Sequence, residues 1–223
     1  MFAFIQNLIY PKFCVNCRHF GSYLCVTCEK EVEFLQLQYC PGCKYVSKRG
    51  LTHKWCRTKT RLDGIQSLVY YAGPIRTLIQ QIKYRHSFAI VAELLPQLLP
   101  KTFLEFEPDL MIVPVPLSKE RYQTRGFNQS EIIAKALGDA FTEPVETKWL
   151  KRIKNTATQT RLTREERILN LKDTFVASSE VRGKSVLLID DVWTTGSTLN
   201  EAANELKRKG AKRVYAFTIA VGK

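Results

Sequence analysis

Val186-Leu-Leu-Ile-Asp190-Asp191-Val-Trp-Thr194-Thr195-Gly196-Ser197-Thr198 is the stretch that decides the fold. An unbroken apolar run, Ser185 to Ile189, closes on two adjacent carboxylates, and a Thr/Gly/Ser loop then opens a helical pattern over Thr198–Lys209. A strand without polar alternation is covered on both faces, as parallel strands are. The loop offers backbone N–H groups and hydroxyls at a helix N-terminus, which favours a phosphate, and Gly196 allows close backbone approach. The two carboxylates accept hydrogen bonds only, so they suit sugar hydroxyls or the shell of a Mg2+ ion rather than a phosphate. Phosphate at one end and diol at the other describe a ribose 5-phosphate.

Working outward, Ile65–Ala72 reads as a strand, and Gly73-Pro74 starts a helix carried by Ile75, Leu78, Ile79 and Ile82. A second helix is expected over Ser87–Leu99, a buried strand over Leu110–Pro116, a helix over Ser130–Ala140 and a last strand over Val214–Val221. Alternation of strand and helix, with fully apolar strands, predicts a parallel α/β sheet whose ligand-binding loops gather at one carboxyl edge. Two more polar segments belong to that edge. Ser118-Lys119 follows the Val113-Pro-Val-Pro-Leu strand end, with Arg121 and the Arg125-Gly126 turn behind it, and Arg125 is a bidentate phosphate donor. Asn155–Arg167 is a polar loop holding Arg161, Arg164 and Arg167; the stretch 148–172 carries eight basic residues against two acidic ones. Such a loop either closes over a phosphate site or grips a nucleic-acid backbone, so Arg121, Arg161, Arg164 and Arg167 are nucleic-acid candidates.

All seven cysteines lie in the first 56 residues, six of them in C-x2-C pairs. The odd count and the absence of an export signal point to metal in a reducing compartment rather than to disulfides. Cys14, Cys17, Cys25 and Cys28 form two knuckles around a tetrahedral Zn2+. Cys40 and Cys43 form a third knuckle, which His53 and Cys56 would complete as a site of three cysteines and one histidine. Both sites are closed, hence structural. Residues 1–63 are therefore expected to form a zinc module and 64–223 the α/β domain. The apolar start of the chain, residues 1–10, reads as a short amphipathic helix.

Composition sets the remaining limits. At 223 residues and 45% hydrophobic, the chain buries a real core, and disorder or low complexity is excluded. Lys+Arg 34 against Asp+Glu 21 gives +13, and two loaded zinc sites bring it to about +10, which calls for an anionic partner. No apolar run reaches the roughly 18 residues of a membrane-spanning helix.

The strand, the Asp-Asp pair and the Thr-Thr-Gly-Ser-Thr loop together resemble the phosphoribosyl pyrophosphate (PRPP) motif of type I phosphoribosyltransferases. That resemblance implies that Asp190 and Asp191 hold the ribose hydroxyls, that Thr194, Thr195, Gly196, Ser197 and Thr198 cradle the 5-phosphate, and that Ser118 and Lys119 lie in the pyrophosphate loop. With the four-Cys module, Pro114-Val-Pro-Leu-Ser118, Arg125-Gly-Phe-Asn-Gln129 and Thr156-x2-Gln-Thr-x-Leu162, the whole chain is similar to the ComF family. The family implies a type I phosphoribosyltransferase fold behind a small zinc-binding module. It also implies a role in natural transformation, with single-stranded DNA and a helicase-like ComFA partner, and PRPP with Mg2+ as a ligand. The expected location is cytoplasmic, with the periphery of the inner membrane face as the alternative. Three function classes stay open: a DNA-uptake accessory protein, an active phosphoribosyltransferase with an unread acceptor, and an adaptor that merely retains the pocket.

Overall fold

The structure, a computed structural model, describes residues 11–84, 88–99, 110–154 and 173–222. Its centre is a four-stranded parallel sheet in the order β1-β6-β5-β2, where β1 is Gly64–Tyr70, β2 Leu110–Pro114, β5 Ser185–Trp193 and β6 Arg213–Val221. The expected parallel sheet is therefore present, and β5 sits inside it with its carboxyl end flanked by both neighbours.

Alternation along β5 sends Leu187 and Ile189 to one face and Val186 and Leu188 to the other. The first face is covered by α1 (Gly73–Tyr84), α2 (Phe88–Leu98) and α4 (Gln129–Phe141). Ile75, Leu78, Ile79 and Ile82 of α1 recur at helical spacing and are all buried there, each burial being worth roughly 1.5–3 kcal/mol. The second face is covered by α5 (Ser197–Arg208), whose Leu199, Ala202, Ala203 and Leu206 repeat the same spacing. A short helix, α3 (Lys119–Arg125), follows β2.

Three features depart from expectation. β5 does not end at the carboxylates; it continues through Asp190 and Asp191 to Trp193, which pairs with Val221. β2 stops at Pro114 short of Pro116, although the Val115 N–H still donates to the Ile189 carbonyl of β5; both prolines stand at positions whose N–H would face away from β5, as that of Ile112 does toward Pro144. An antiparallel strand pair unanticipated from the sequence, β3 (Leu150–Arg152) with β4 (Phe175–Ala177), matches Leu150 with Ala177 and packs Leu150 and Phe175 onto the α5 face. The amphipathic segment expected at residues 1–10 lies outside the described residues, as do Arg161, Arg164 and Arg167.

The cysteine-rich segment lies against the sheet rather than apart from it. Leu35 N–H donates to the Leu68 carbonyl, Gln38 bonds Ser67 in both directions, and Asp63 forms ion pairs with Lys207 and Arg213. Among the described residues no helix is long and apolar enough to cross a membrane.

Candidate functional site

The site is assembled where β5 hands over to α5. Gly196 is the residue before α5 and takes φ +80°, and a Cβ there would fall 2.8 Å from Trp193 Nε1. Only glycine meets both demands. The N-cap Gly196 has no side chain to cap the helix, so the amides after Ser197 face no cap from it and suit an anion. The Thr195 hydroxyl lies 2.9 Å from that of Ser197 and also accepts the Ser197 N–H at 3.4 Å. Trp193, between the carboxylates and the loop, is only 3% exposed; it packs beneath the loop and presents no face for stacking.

The two carboxylates are served differently. Asp190 Oδ1 accepts the Ser130 hydroxyl at 3.2 Å and the Asp191 N–H at 2.9 Å. Burial first, and the neighbouring Asp191 charge second, push the Asp190 carboxyl up to about 7, against the pull of those hydrogen bonds and of Lys83. Asp191 is buried, and its Oδ2 lies 2.9 Å from Lys83 Nζ at the end of α1, an ion pair not aligned as a hydrogen bond. Arg152, on β3, lies over the Phe175 ring and within electrostatic range of Asp190. Burial and the nearby Arg121 both lower the Arg152 pKa, while Asp190 raises it.

The β2 edge arrives beside these groups because β2 and β5 are parallel neighbours, with Pro114 opposite Ile189 and Val115 N–H donating to the Ile189 carbonyl. Ser118 is buried and spends its hydroxyl as the N-cap of α3, accepting Arg121 N–H at 3.4 Å. Lys119 is exposed, and Arg125 Nη1 donates to Gln129 Oε1 at 3.0 Å. Asn128 caps α4 through Ser130 N–H and holds the Val115 carbonyl, fixing Ser130 near Asp190. Lys83, Ser130 and Arg152 are site residues that sequence reasoning missed. Each reaches the carboxylates from a distant segment, and none stands in a local pattern that singles it out.

A cleft of about 400 Å³ separates this loop from the cysteine-rich segment, with Pro41, Gly42 and Lys59 on one wall and Thr195, Gly196 and Ser197 on the other. Lys44 crosses beside it, donating from Nζ to the Thr194 carbonyl at 3.0 Å. The Asn200 side-chain oxygen accepts from both the Thr60 hydroxyl and the Arg61 N–H at 2.8 Å.

Both expected metal sets come together. The ligand atoms of Cys14, Cys17, Cys25 and Cys28 lie within 4.8 Å of one another, as do those of Cys40, Cys43, His53 and Cys56. Zn–S bonds of about 2.3 Å place tetrahedral sulfurs roughly 3.8 Å apart, so these spacings fit Zn2+. His53 Nδ1 is 3.4 Å from Cys43 Sγ, the position a fourth ligand needs. Burial pushes the Cys14 thiol up, but N–H groups of Cys17, Cys25 and Asn16 outweigh it and bring it to about 6. Cys40 is lowered in the same way, by N–H groups of His53, Gly42 and Cys43 against its burial. Each cluster therefore holds one thiol whose ionisation is eased by backbone N–H groups, while Cys28 and Cys56 beside them are pushed up to about 12 and about 11.

Residues 118–222 match the phosphoribosyl transferase domain family. Over nearly the whole chain the sequence is also similar to competence and DNA-utilization proteins. It is 30% identical to Competence protein F of Haemophilus influenzae, covering 93% of this chain and 96% of that protein. It is 32% identical to the DNA utilization protein YhgH of Escherichia coli K12, covering 95% and 98%. It is 30% identical to Competence protein ComFC of Bacillus subtilis, covering 88% and 83%.

Proposed function

The chain belongs to the ComF family of competence and DNA-utilization proteins and carries a phosphoribosyltransferase fold, and from that premise we propose that it is a DNA-uptake accessory protein holding a PRPP-type sugar phosphate and single-stranded DNA. One observation supports the sugar-phosphate site above all others: the Asp190–Asp191 pair stands next to the uncapped N-terminus of α5, with Gly196 in the left-handed region between them. The 5-phosphate is received by the loop Thr194–Thr198 and the first amides of α5. The ribose hydroxyls donate to Asp190 and Asp191. Lys119 and Arg125 serve the pyrophosphate end, and Ser118 fixes the start of the helix that carries them. The diphosphate oxygens are hard donors of the kind Mg2+ takes, and Mg2+ bound with PRPP supplies neutralising charge at that end.

The described residues support a nucleic-acid surface on the second metal lobe as well as at the mouth of the sheet. Residues 34–62 contain seven Lys and Arg and no Asp or Glu. Tyr45 and Trp55, next to the metal set, are 74% and 71% exposed. Basic groups with exposed aromatics are how sequence-tolerant single-strand binding is built. Arg121, half-buried beside Arg152, joins this surface at the mouth, and Arg161, Arg164 and Arg167 extend the proposal beyond the described residues. The same reading divides the chain at residue 63, stabilises the module with two structural Zn2+, and places the protein in the cytoplasm or at the inner membrane face beside a ComFA-like helicase.

A second reading, an active phosphoribosyltransferase, is favoured by the β3–β4 strand pair, which carries Arg152 within electrostatic range of Asp190. One experiment tests both. Pure protein is titrated with PRPP–Mg2+ by calorimetry and with labelled single-stranded DNA by anisotropy, alone and in competition, while pyrophosphate release is followed. The proposal expects both ligands to bind and Asp190→Ala/Asp191→Ala to lose PRPP alone. Unchanged PRPP affinity in that variant overturns the site, absence of DNA binding overturns the accessory role, and steady pyrophosphate release selects the enzyme.

A further inference from the structure

Resting on the sugar-phosphate reading of the site, we propose that Lys83 is the built-in counter-ion of the diol-binding carboxylates, occupying the charge position that a divalent cation would otherwise fill. The sugar end of the ligand then binds without Mg2+, and any Mg2+ requirement belongs to the pyrophosphate end.

Two adjacent carboxylates cannot both remain charged in a sheltered site without a cation. In this chain each has its own company. Asp190 Oδ1 is held by a hydroxyl and an amide, Ser130 and the Asp191 N–H. Asp191 Oδ2 has no hydrogen-bond donor among the described residues, and what it has is the Lys83 ammonium at 2.9 Å. The placement is rigid at both ends. Asp191 is inside β5, whose ladder to β6 continues past it to Trp193. Lys83 follows Ile82 and Ile79, both fully buried against the sheet, so the helix delivers its side chain to one place. Lys83 is the basic residue of the last turn of α1, where the helix dipole favours a cation. Its side chain is 24% exposed and that of Asp191 10%, so the pair is sheltered but open enough for a ligand to slide over it. An ammonium on this stem neutralises one carboxylate without using the lone pairs of Asp190, which remain for hydroxyl donors.

The test has two arms, both starting from magnesium-free buffer without chelator, so that any metal in the cysteine clusters stays in place. In the first, Mn2+ stands in for Mg2+ and its binding to ligand-free protein is read by electron paramagnetic resonance; a hard ion of this kind ignores the cysteine clusters. Wild type is expected to bind no Mn2+ at the carboxylate pair. Lys83→Met is expected to gain one Mn2+ per chain, which Lys83→Met/Asp191→Asn loses again. In the second arm, ribose 5-phosphate, which carries the diol and no pyrophosphate, is titrated calorimetrically with and without Mg2+. Wild type and Lys83→Arg should bind it equally in both buffers. Lys83→Met should bind about tenfold more weakly without Mg2+ and recover when it is added. Stoichiometric Mn2+ at the pair in wild type, or identical behaviour of Lys83→Met and wild type, overturns the proposal. Should Lys83→Met fail to fold, Lys83→Arg with wild type still decides, since loss of ribose 5-phosphate binding by wild type on removing Mg2+ refutes it. If wild type binds no ribose 5-phosphate in any buffer while the Mn2+ arm behaves as expected, the sugar-phosphate reading fails and the counter-ion role stands.

Discussion

Asp190→Asn should make the protein more stable and less able to hold its ligand. In the fold, burial and Asp191 raise the Asp190 carboxyl from 3.8 to about 7. The folded state therefore binds a proton that the unfolded chain has already released between those two values. Stability falls as pH rises through that window, and the loss is complete above it. About three pH units at 1.36 kcal/mol each set an upper limit near 4 kcal/mol. Asp190 is only half-buried, so relaxation and solvent bring the expected cost to about 2 kcal/mol. Asparagine keeps the acceptor oxygen for Ser130 and for the Asp191 N–H and never ionises, so it removes this cost. Denaturant unfolding of both proteins in magnesium-free buffer should show no gap near pH 4 and a widening one that levels off above about pH 7.5. For a chain of this length the plateau corresponds to a rise in Tm of about 4–8 °C. The same variant should bind PRPP poorly, the usual exchange of stability for function at a charged site. A gap that stays constant with pH, or wild type gaining stability across the window, refutes the electrostatic account of Asp190.

Elemental analysis of reduced protein should find about two zinc per chain, and His53→Ala should drop the count toward one while Cys14→Ser unfolds the first lobe. Gly196→Ala combines a left-handed backbone with a Cβ 2.8 Å from Trp193 Nε1, so it should cost about 1–3 kcal/mol in thermal unfolding and weaken PRPP binding measured by calorimetry. Lys44→Ala removes the bond to the Thr194 carbonyl and should loosen the phosphate loop, lowering PRPP affinity several-fold at unchanged zinc content. Tyr45→Ala/Trp55→Ala should weaken single-stranded DNA by about 1–3 kcal/mol per stacked base without changing the salt slope, whereas Lys48→Ala/Arg49→Ala should flatten that slope by about 0.7 for each phosphate no longer neutralised.

The parts of the fold that sequence reveals are those whose signal is local. The apolar run at 185–189, the four-residue spacings of α1 and α5 and the C-x2-C turns each fix a periodicity, and the structure returns strand, helices and metal sets where they fall. Even His53, ten residues from Cys43, is found by arithmetic, because a set of three cysteines lacks one ligand. The end of β5 misleads, since two adjacent charges look like a strand terminus. Pairing with Val221 on β6 overrides them, and that partner lies 28 residues away. The β3–β4 pair has three residues a side drawn from segments more than twenty residues apart, so no local pattern announces it, and Leu150 and Phe175 show themselves only by packing on the core. Ser118 is legible as a site residue by its place after β2 yet serves as a helix cap, a role the same Ser-x-x pattern encodes. Lys83, Ser130 and Arg152 come from two separate crossovers of the sheet, and no short window of sequence contains them.

The bonds between the second metal lobe and the phosphate loop make the two modules one mechanical unit. The turn that presents Cys40 and Cys43 is tight: Gly42 has no room for a Cβ, which would lie 2.7 Å from Cys56 Cβ. The same turn sends Lys44, at φ +60°, out of the knuckle so that its ammonium reaches the Thr194 carbonyl and lies 5.9 Å from the centre of the Trp193 ring. Further along, Thr60 and Arg61 fasten to Asn200 in the first turn of α5. The loop that would cradle a phosphate is thus held from outside by residues within and just after the second cysteine cluster. Metal binding and folding are linked in such small lobes, so under the proposed zinc loading, removing the second metal is expected to release Lys44, Thr60 and Arg61 together, and the start of α5 would lose its brace without any change in the residues proposed to touch the ligand. A phosphate cradle of glycine and hydroxyl residues has little rigidity of its own, and in this chain its bracing bonds come from the cysteine-rich segment.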